Sequence, residues 1–164
     1  MRILTIGHSV LPLDQFIKRL KEVGATLLVD VRSRPYSRYQ EQFNREALRI
    51  GLENAGIQYR WEGKFLGGLG GTQITNPGFI ASMERVLAST KHHVPALMCS
   101  EKDPKGCHRA MKLTAWLMRN SKAECFHILQ TSPGLVEAGE FEKKQKPSWG
   151  WHELFPQGKY GAKP

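Results

Sequence analysis

An α/β architecture is expected from three features of this chain: a single-domain three-layer sandwich, with a mostly parallel sheet of about five strands and helices on both faces. Short apolar runs alternate with segments whose apolar residues recur at helical spacing. One run, Ala25 to Val31, is almost wholly apolar, as befits a strand covered on both faces in a parallel sheet. Polar and glycine-rich stretches follow the apolar runs, where ligands collect in such folds.

Each element has its own warrant. Arg2 to Ile6 reads as a first strand, ended by Gly7-His8-Ser9. Leu13, Phe16, Ile17, Leu20 and Val23 mark one face of a helix, with Lys18, Arg19, Lys21 and Glu22 opposite and Gly24 as its stop. Ala25 to Val31 is the second strand. Asn44 is placed to cap a helix from Arg45 to Asn54, with Glu46 near its positive end and Gly56 after it. Ile57 to Trp61 alternates as a third strand. Asn76-Pro77 starts a helix through Phe79, Met83, Val86 and Leu87. Val94 to Met98 is the fourth strand, His108 to Arg119 the fourth helix, and Glu124 to Gln130 the fifth strand.

The domain is expected to span residues 1–130, followed by a C-terminal extension over 131–164, partly docked or flexible. Trp149, Trp151 and Phe155 of that extension are expected to dock on the body, with nucleic-acid stacking as the rarer alternative. The 164 residues are 40% hydrophobic and 24% charged, ordinary values for one globular unit with a real core. No apolar run approaches the roughly 18–20 residues that span a bilayer, so no membrane association is expected. The N-terminal residues carry no signal-peptide pattern, and three cysteines do not suggest a disulfide framework; reduced thiols in the cytoplasm are the expectation. A net charge of +9 favours anionic partners, small molecules or nucleic acid, although a basic surface alone accounts for it equally well.

The chemistry-bearing residues gather where strands should end. Gly7-His8-Ser9 follows the first; Asp30-Val-Arg32-Ser-Arg34-Pro-Tyr36-Ser-Arg38 closes the second. Lys64-Phe-Leu-Gly67-Gly68-Leu-Gly70-Gly71 follows the third, and Cys99-Ser-Glu101-Lys-Asp-Pro-Lys-Gly-Cys107-His108-Arg109 the fourth. The arginines beside Asp30 suit an oxyanion, because a guanidinium fork binds such groups through paired hydrogen bonds. The competing reading pairs them with Asp30 and Glu41. Gly67 and Gly68 can present backbone N–H groups to an anion, or form a lid or tight turn; no Walker signature follows them. Cys107 sits where a helix should begin, beside His108 and Arg109, a setting that lowers a thiol pKa; Cys99 is the rival nucleophile. Buried thiols are, however, often plain small hydrophobes.

Cys99, Cys107 and His108, with His8 in reach, also offer zinc-type ligands. The spacing is not that of a zinc ribbon, and adjacent Cys107 and His108 side chains are expected to diverge at a helix start, so no metal ligand is assigned. Cys125 and His127 read as core or edge residues, and His92-His93 as solvated.

Thr5-Ile-Gly-His8-Ser9, Asp30-Val-Arg32-Ser-Arg34-Pro, Leu66-Gly-Gly68 and the Cys99-Ser-Glu101 to Cys107-His108-Arg109 seam together resemble the bacterial and archaeal domain-of-unknown-function family 488, across residues 1–130. The resemblance implies a compact cytoplasmic α/β domain with His8, Ser9, Asp30, Arg32, Cys99, Glu101, Cys107, His108 and Arg109 as its marked positions. It brings no activity, and no cofactor can be named.

The leading expectation is a hydrolase or group transferase acting on a phosphate-bearing nucleotide or nucleic-acid-linked substrate. Cys99, Glu101, His8, Asp30 and Cys107 are its catalytic candidates; Ser9, Arg32, Arg34, Gly67, Gly68, His108 and Arg109 are its substrate-binding candidates. The alternative is a non-catalytic module that binds nucleotide or nucleic acid through the same arginines, with Lys143, Lys144, Lys146 and the tail aromatics. A plain interaction scaffold with incidental thiols is the third.

Overall fold

The computed structural model describes residues 1–131 and 134–139; the tail residues Lys143 to Phe155 discussed above lie outside them. Among the described residues six strands form one sheet: β1 (Arg2–Gly7), β2 (Leu27–Asp30), β3 (Gln58–Trp61), β4 (Pro95–Cys99), β5 (Glu124–Ile128) and β6 (Leu135–Glu137). Their order across the sheet is β3-β2-β4-β1-β5-β6. The first five run parallel, and β6 lies antiparallel on β5. This is the expected sandwich with one strand more, contributed by residues that the sequence reading assigned to the extension.

The alternation of side chains in β1 divides the core. Ile3 faces the same side as Leu97 and Val29, with Phe79, Met83 and Val86 of helix α4 (Pro77–Ser89) and Leu117 of helix α5 (Ala115–Asn120). Leu4 and Ile6 face the other side, with Phe16 and Leu20 of α1 (Leu13–Glu22) and Leu48 and Leu52 of α2 (Arg45–Asn54). A short helix α3 (Gly63–Leu66) follows β3, where only a glycine-rich loop was expected. The chain leaves β1 for β2 on one side and leaves β4 for β5 on the other. Connections therefore diverge above the paired ends of β1 and β4, opening a crevice at their carboxyl edge.

Local signals are met with two exceptions. Asn76 accepts from the Gly78 N–H at 2.8 Å and Pro77 takes the first helical position, as expected. Asn44 makes no side-chain cap on α2; its Oδ1 accepts from the Ser37 N–H at 2.7 Å and braces the loop after β2. The helix expected from His108 to Arg119 opens instead as a π-helical stretch, Arg109–Thr114, before α5. Within it the Thr114 hydroxyl donates to the Ala110 carbonyl at 2.6 Å, engaging a group of the regular ladder. No helix among the described residues is long and apolar enough to cross a membrane.

Candidate functional site

The carboxyl ends of β1 and β4 are sewn together by backbone. Gly7 pairs with Cys99 in register, and the next two N–H groups, of His8 and Ser9, donate to the carbonyls of Cys99 and Ser100 at 3.0 and 2.9 Å. A side chain at Gly7 would collide with the Glu101 carbonyl, so glycine is what lets the loop after β4 cross this strand end. Ser9 then turns the chain in the left-handed region at φ 48°, a conformation uncommon for a residue with a side chain.

At the end of β2, Asp30 and Arg32 form a closed ion pair. Asp30 Oδ1 accepts from Arg32 Nε at 2.9 Å and from its backbone N–H at 3.0 Å; Oδ2 accepts from Arg32 Nη2 at 2.6 Å and from the Tyr59 hydroxyl at 2.8 Å. Arg32 also donates to the Phe43 carbonyl at 2.8 Å and to His8 Nε2 at 3.2 Å. Since a guanidinium only donates, His8 Nε2 is an acceptor, and its proton sits on Nδ1, which donates to the Ser9 carbonyl at 2.9 Å. Burial and the neighbouring Arg32 charge lower the His8 pKa to about 4, so the ring is neutral at pH 7. The ring stacks on Phe43 at 4.2 Å between centroids.

The third group comes from β4 and the π-helical turn. His108 Nδ1 lies 3.8 Å from Cys99 Sγ and 3.9 Å from Cys107 Sγ, so the two side chains expected to diverge converge instead. His108 Nε2 is buried and meets no partner among the described residues. The hydrogen bond from Cys107 pulls the Cys99 thiol well below its ordinary range, with His108 reinforcing it, while the same bond and burial push Cys107 up. The pair thus shares one proton, and its titration belongs to both sulfurs.

Arg109 sits beneath this group with 0% exposure. Nη1 donates to the Glu101 carbonyl at 2.6 Å and to Cys107 Sγ at 3.3 Å; Nη2 donates to the Lys102 carbonyl at 3.2 Å. The sequence reading gave Arg109 and Arg32 to a bound anion. Both are instead directed inward, Arg32 onto a fully buried carboxylate that needs a paired donor and Arg109 onto part-buried loop carbonyls.

A cavity of about 970 Å³ opens over these groups. His8, Ser9, Arg32, Arg34, Gly68, Cys99, Glu101, Cys107 and His108 all line it, so residues far apart in the chain share one rim as expected. Asp30, Gly67 and Arg109 do not. Asp30 is fully buried with both oxygens engaged, leaving no proton site facing a ligand. Gly67 packs tightly against Ser33 and bonds through its carbonyl to Thr72 at 2.9 Å, whereas Gly68 lies over the His108 ring. Tyr36, Tyr39, Lys105 and Lys112 are among the lining residues not chosen as site candidates from the sequence. Tyr36 and Tyr39 are 66% and 91% exposed, and aromatics interleaved with Arg34 and Arg38 are the signal that could have marked them. Cys125 and His127 are core residues, as read: His127 Nδ1 meets the Thr5 hydroxyl at 2.7 Å.

No curated protein and no solved structure matches the chain. A family model does match, over residues 12–73 and 71–116, which take in Arg32, Arg34, both glycines and the Cys99 to Arg109 seam but not His8 or Ser9. That model is described as Domain of unknown function DUF488, and the chain belongs to that family.

Proposed function

We propose that the protein is a hydrolase or group transferase acting on a phosphate-bearing nucleotide or nucleic-acid-linked substrate held in this cavity. The reading rests on one observation: a sulfur–imidazole cluster lines a cavity whose rim bears the exposed cations Arg34 and Lys105 and the exposed rings Tyr36 and Tyr39. Cations at a concave mouth draw in an oxyanion, and a nucleobase stacks on free aromatic faces. Arg34 and Lys105 therefore replace Arg32 and Arg109 as anion contacts. The cluster of Cys99, Cys107 and His108 supplies the reactive centre, and Glu101, the acidic side chain of the rim, serves as general acid or base.

A second reading, a binding module without turnover, draws on the same exposed Arg34, Tyr36 and Tyr39, with the neighbouring exposed Arg38. Native mass spectrometry of the purified chain identifies what co-purifies, and that compound becomes the substrate to assay. Glu101→Gln is expected to lower turnover at least about 100-fold, the usual share of a general acid–base, with ligand affinity nearly unchanged. A ligand released chemically intact by the native protein, with affinity falling steeply as salt rises, selects the module instead.

A further inference from the structure

We infer that Cys99, Cys107 and His108 form a three-ligand site for a soft divalent metal ion of the zinc class, with its fourth position open to the cavity. The ion's binding stands on its own geometry; only its part in turnover rests on the function proposed above.

The three donor atoms, two sulfurs and one imidazole nitrogen, lie within 4.8 Å of one another. With zinc–sulfur bonds of about 2.3 Å and zinc–nitrogen bonds of about 2.0–2.1 Å, a tetrahedral sulfur–nitrogen edge measures about 3.6 Å. The two edges here are 3.8 and 3.9 Å. Nδ1 faces both sulfurs at once, so these two edges need shifts of only tenths of an ångström; the sulfur–sulfur edge, within 4.8 Å, closes toward the ~3.8 Å of a tetrahedral site as the ion binds. Two thiolates and an imidazole are ligands that favour zinc over harder cations.

The surroundings favour occupation. Arg109 Nη1 donates to Cys107 Sγ at 3.3 Å, a charged outer contact that supports the thiolate form a metal needs. Gly68 lies against the His108 ring, where a methyl group would come within 2.9 Å of Nδ1, so glycine here leaves that nitrogen room. His8 is excluded as the fourth ligand, since its Nδ1 serves the Ser9 carbonyl and its Nε2 the Arg32 guanidinium. All three ligands line the cavity, so the remaining corner of the tetrahedron faces the space where a ligand would lie. Three protein ligands with a free corner is the arrangement of reactive zinc, whereas structural zinc has four. A water or a substrate oxygen takes that corner.

The test uses the full chain, reduced, stripped of metal by a chelator and titrated with cobalt(II). One cobalt per chain is expected, with the intense d–d bands of a four-coordinate ion and a thiolate-to-cobalt charge-transfer band. Cys99→Ser and His108→Ala are each expected to weaken uptake by more than the roughly 10–100-fold that loss of an outer contact costs. Cys125→Ala, a buried core position on β5, should retain the full spectrum. Stoichiometric zinc should shield Cys99 and Cys107 of the native chain from alkylation, read by peptide mass spectrometry, a result independent of whether any variant folds. Cobalt bound without the charge-transfer band, or zinc that leaves both thiols alkylated at the metal-free rate, overturns the site. Added azide should shift the d–d bands; an unchanged spectrum overturns the open position. Inorganic phosphate is then tested separately by calorimetry. Intact cobalt bands with no phosphate bound would keep the metal site and remove the phosphate reading.

Discussion

Asp30 and Arg32 show how burial decides what a charged residue does. Their side chains are 0% and 6% exposed and their pairing is bidentate, so removing the carboxylate charge strands a guanidinium away from water. Asp30→Asn is expected to cost about 3–5 kcal/mol in urea unfolding. The exposed pair Arg49–Glu53, at 39% and 51%, gives the comparison: Glu53→Gln should cost under about 1 kcal/mol. An Asp30→Asn protein as stable as the native one, yet inactive, would return Asp30 to the chemistry. Arg32 lines the cavity while paired to Asp30, which lies buried behind it. Their place at the end of β2 was legible in the apolar run before them, but nothing in the spacing tells which partner a guanidinium prefers. The inward direction of Arg109 is hidden in the sequence for the same reason, since the carbonyls it satisfies belong to a loop path that only three dimensions reveal.

At the scale of elements, the segments with repeated, redundant signals were the legible ones. The Leu13, Phe16 and Leu20 face gave α1, the run through Val29 gave β2, and Asn76-Pro77 placed the start of α4. Helix α3 and strand β6, of four and three residues, are too short to establish a period. The convergence of Cys107 and His108 accompanies a π-helical winding that neighbouring positions in a sequence do not encode. The loop after α3 makes a further prediction. A methyl at Gly68 would come within 2.9 Å of His108 Nδ1, whereas one at Gly70 would meet nothing within 4 Å and face only its φ of 79°. Gly68→Ala should therefore turn the imidazole from the sulfurs and shift the pH profile of Cys99 alkylation, with the fold retained. Gly70→Ala should leave that profile unchanged, whatever strain its backbone brings.

For the whole molecule, two buried imidazoles couple folding to acidity. Burial, aided by Arg32 at His8 and by Arg109 at His127, lowers both pKa values from 6.5 to about 4. Above pH 6.5 both are neutral folded or unfolded, and their contribution to stability is complete. As the pH falls toward 4, the unfolded chain binds protons that the folded chain refuses, so stability drains away across that window. Each histidine should cost about 2 kcal/mol by pH 5, on the order of magnitude that such a shift implies. Urea titrations at pH 7 and pH 5 measure the loss, and a folded His127→Gln protein should show a shallower slope between them. An unchanged slope would mean that His127 accepts a proton without unfolding.

The Arg109 guanidinium fastens the segment between Cys99 and Cys107 through peptide oxygens, at Glu101 and Lys102. Because this clasp grips main chain, the exposed side chains of Lys102 and Lys105 have no part in those two bonds. Exchanging Lys105, which lines the cavity, can retune which molecules the mouth admits while the clasp, and the sulfurs it steadies, stay where they are.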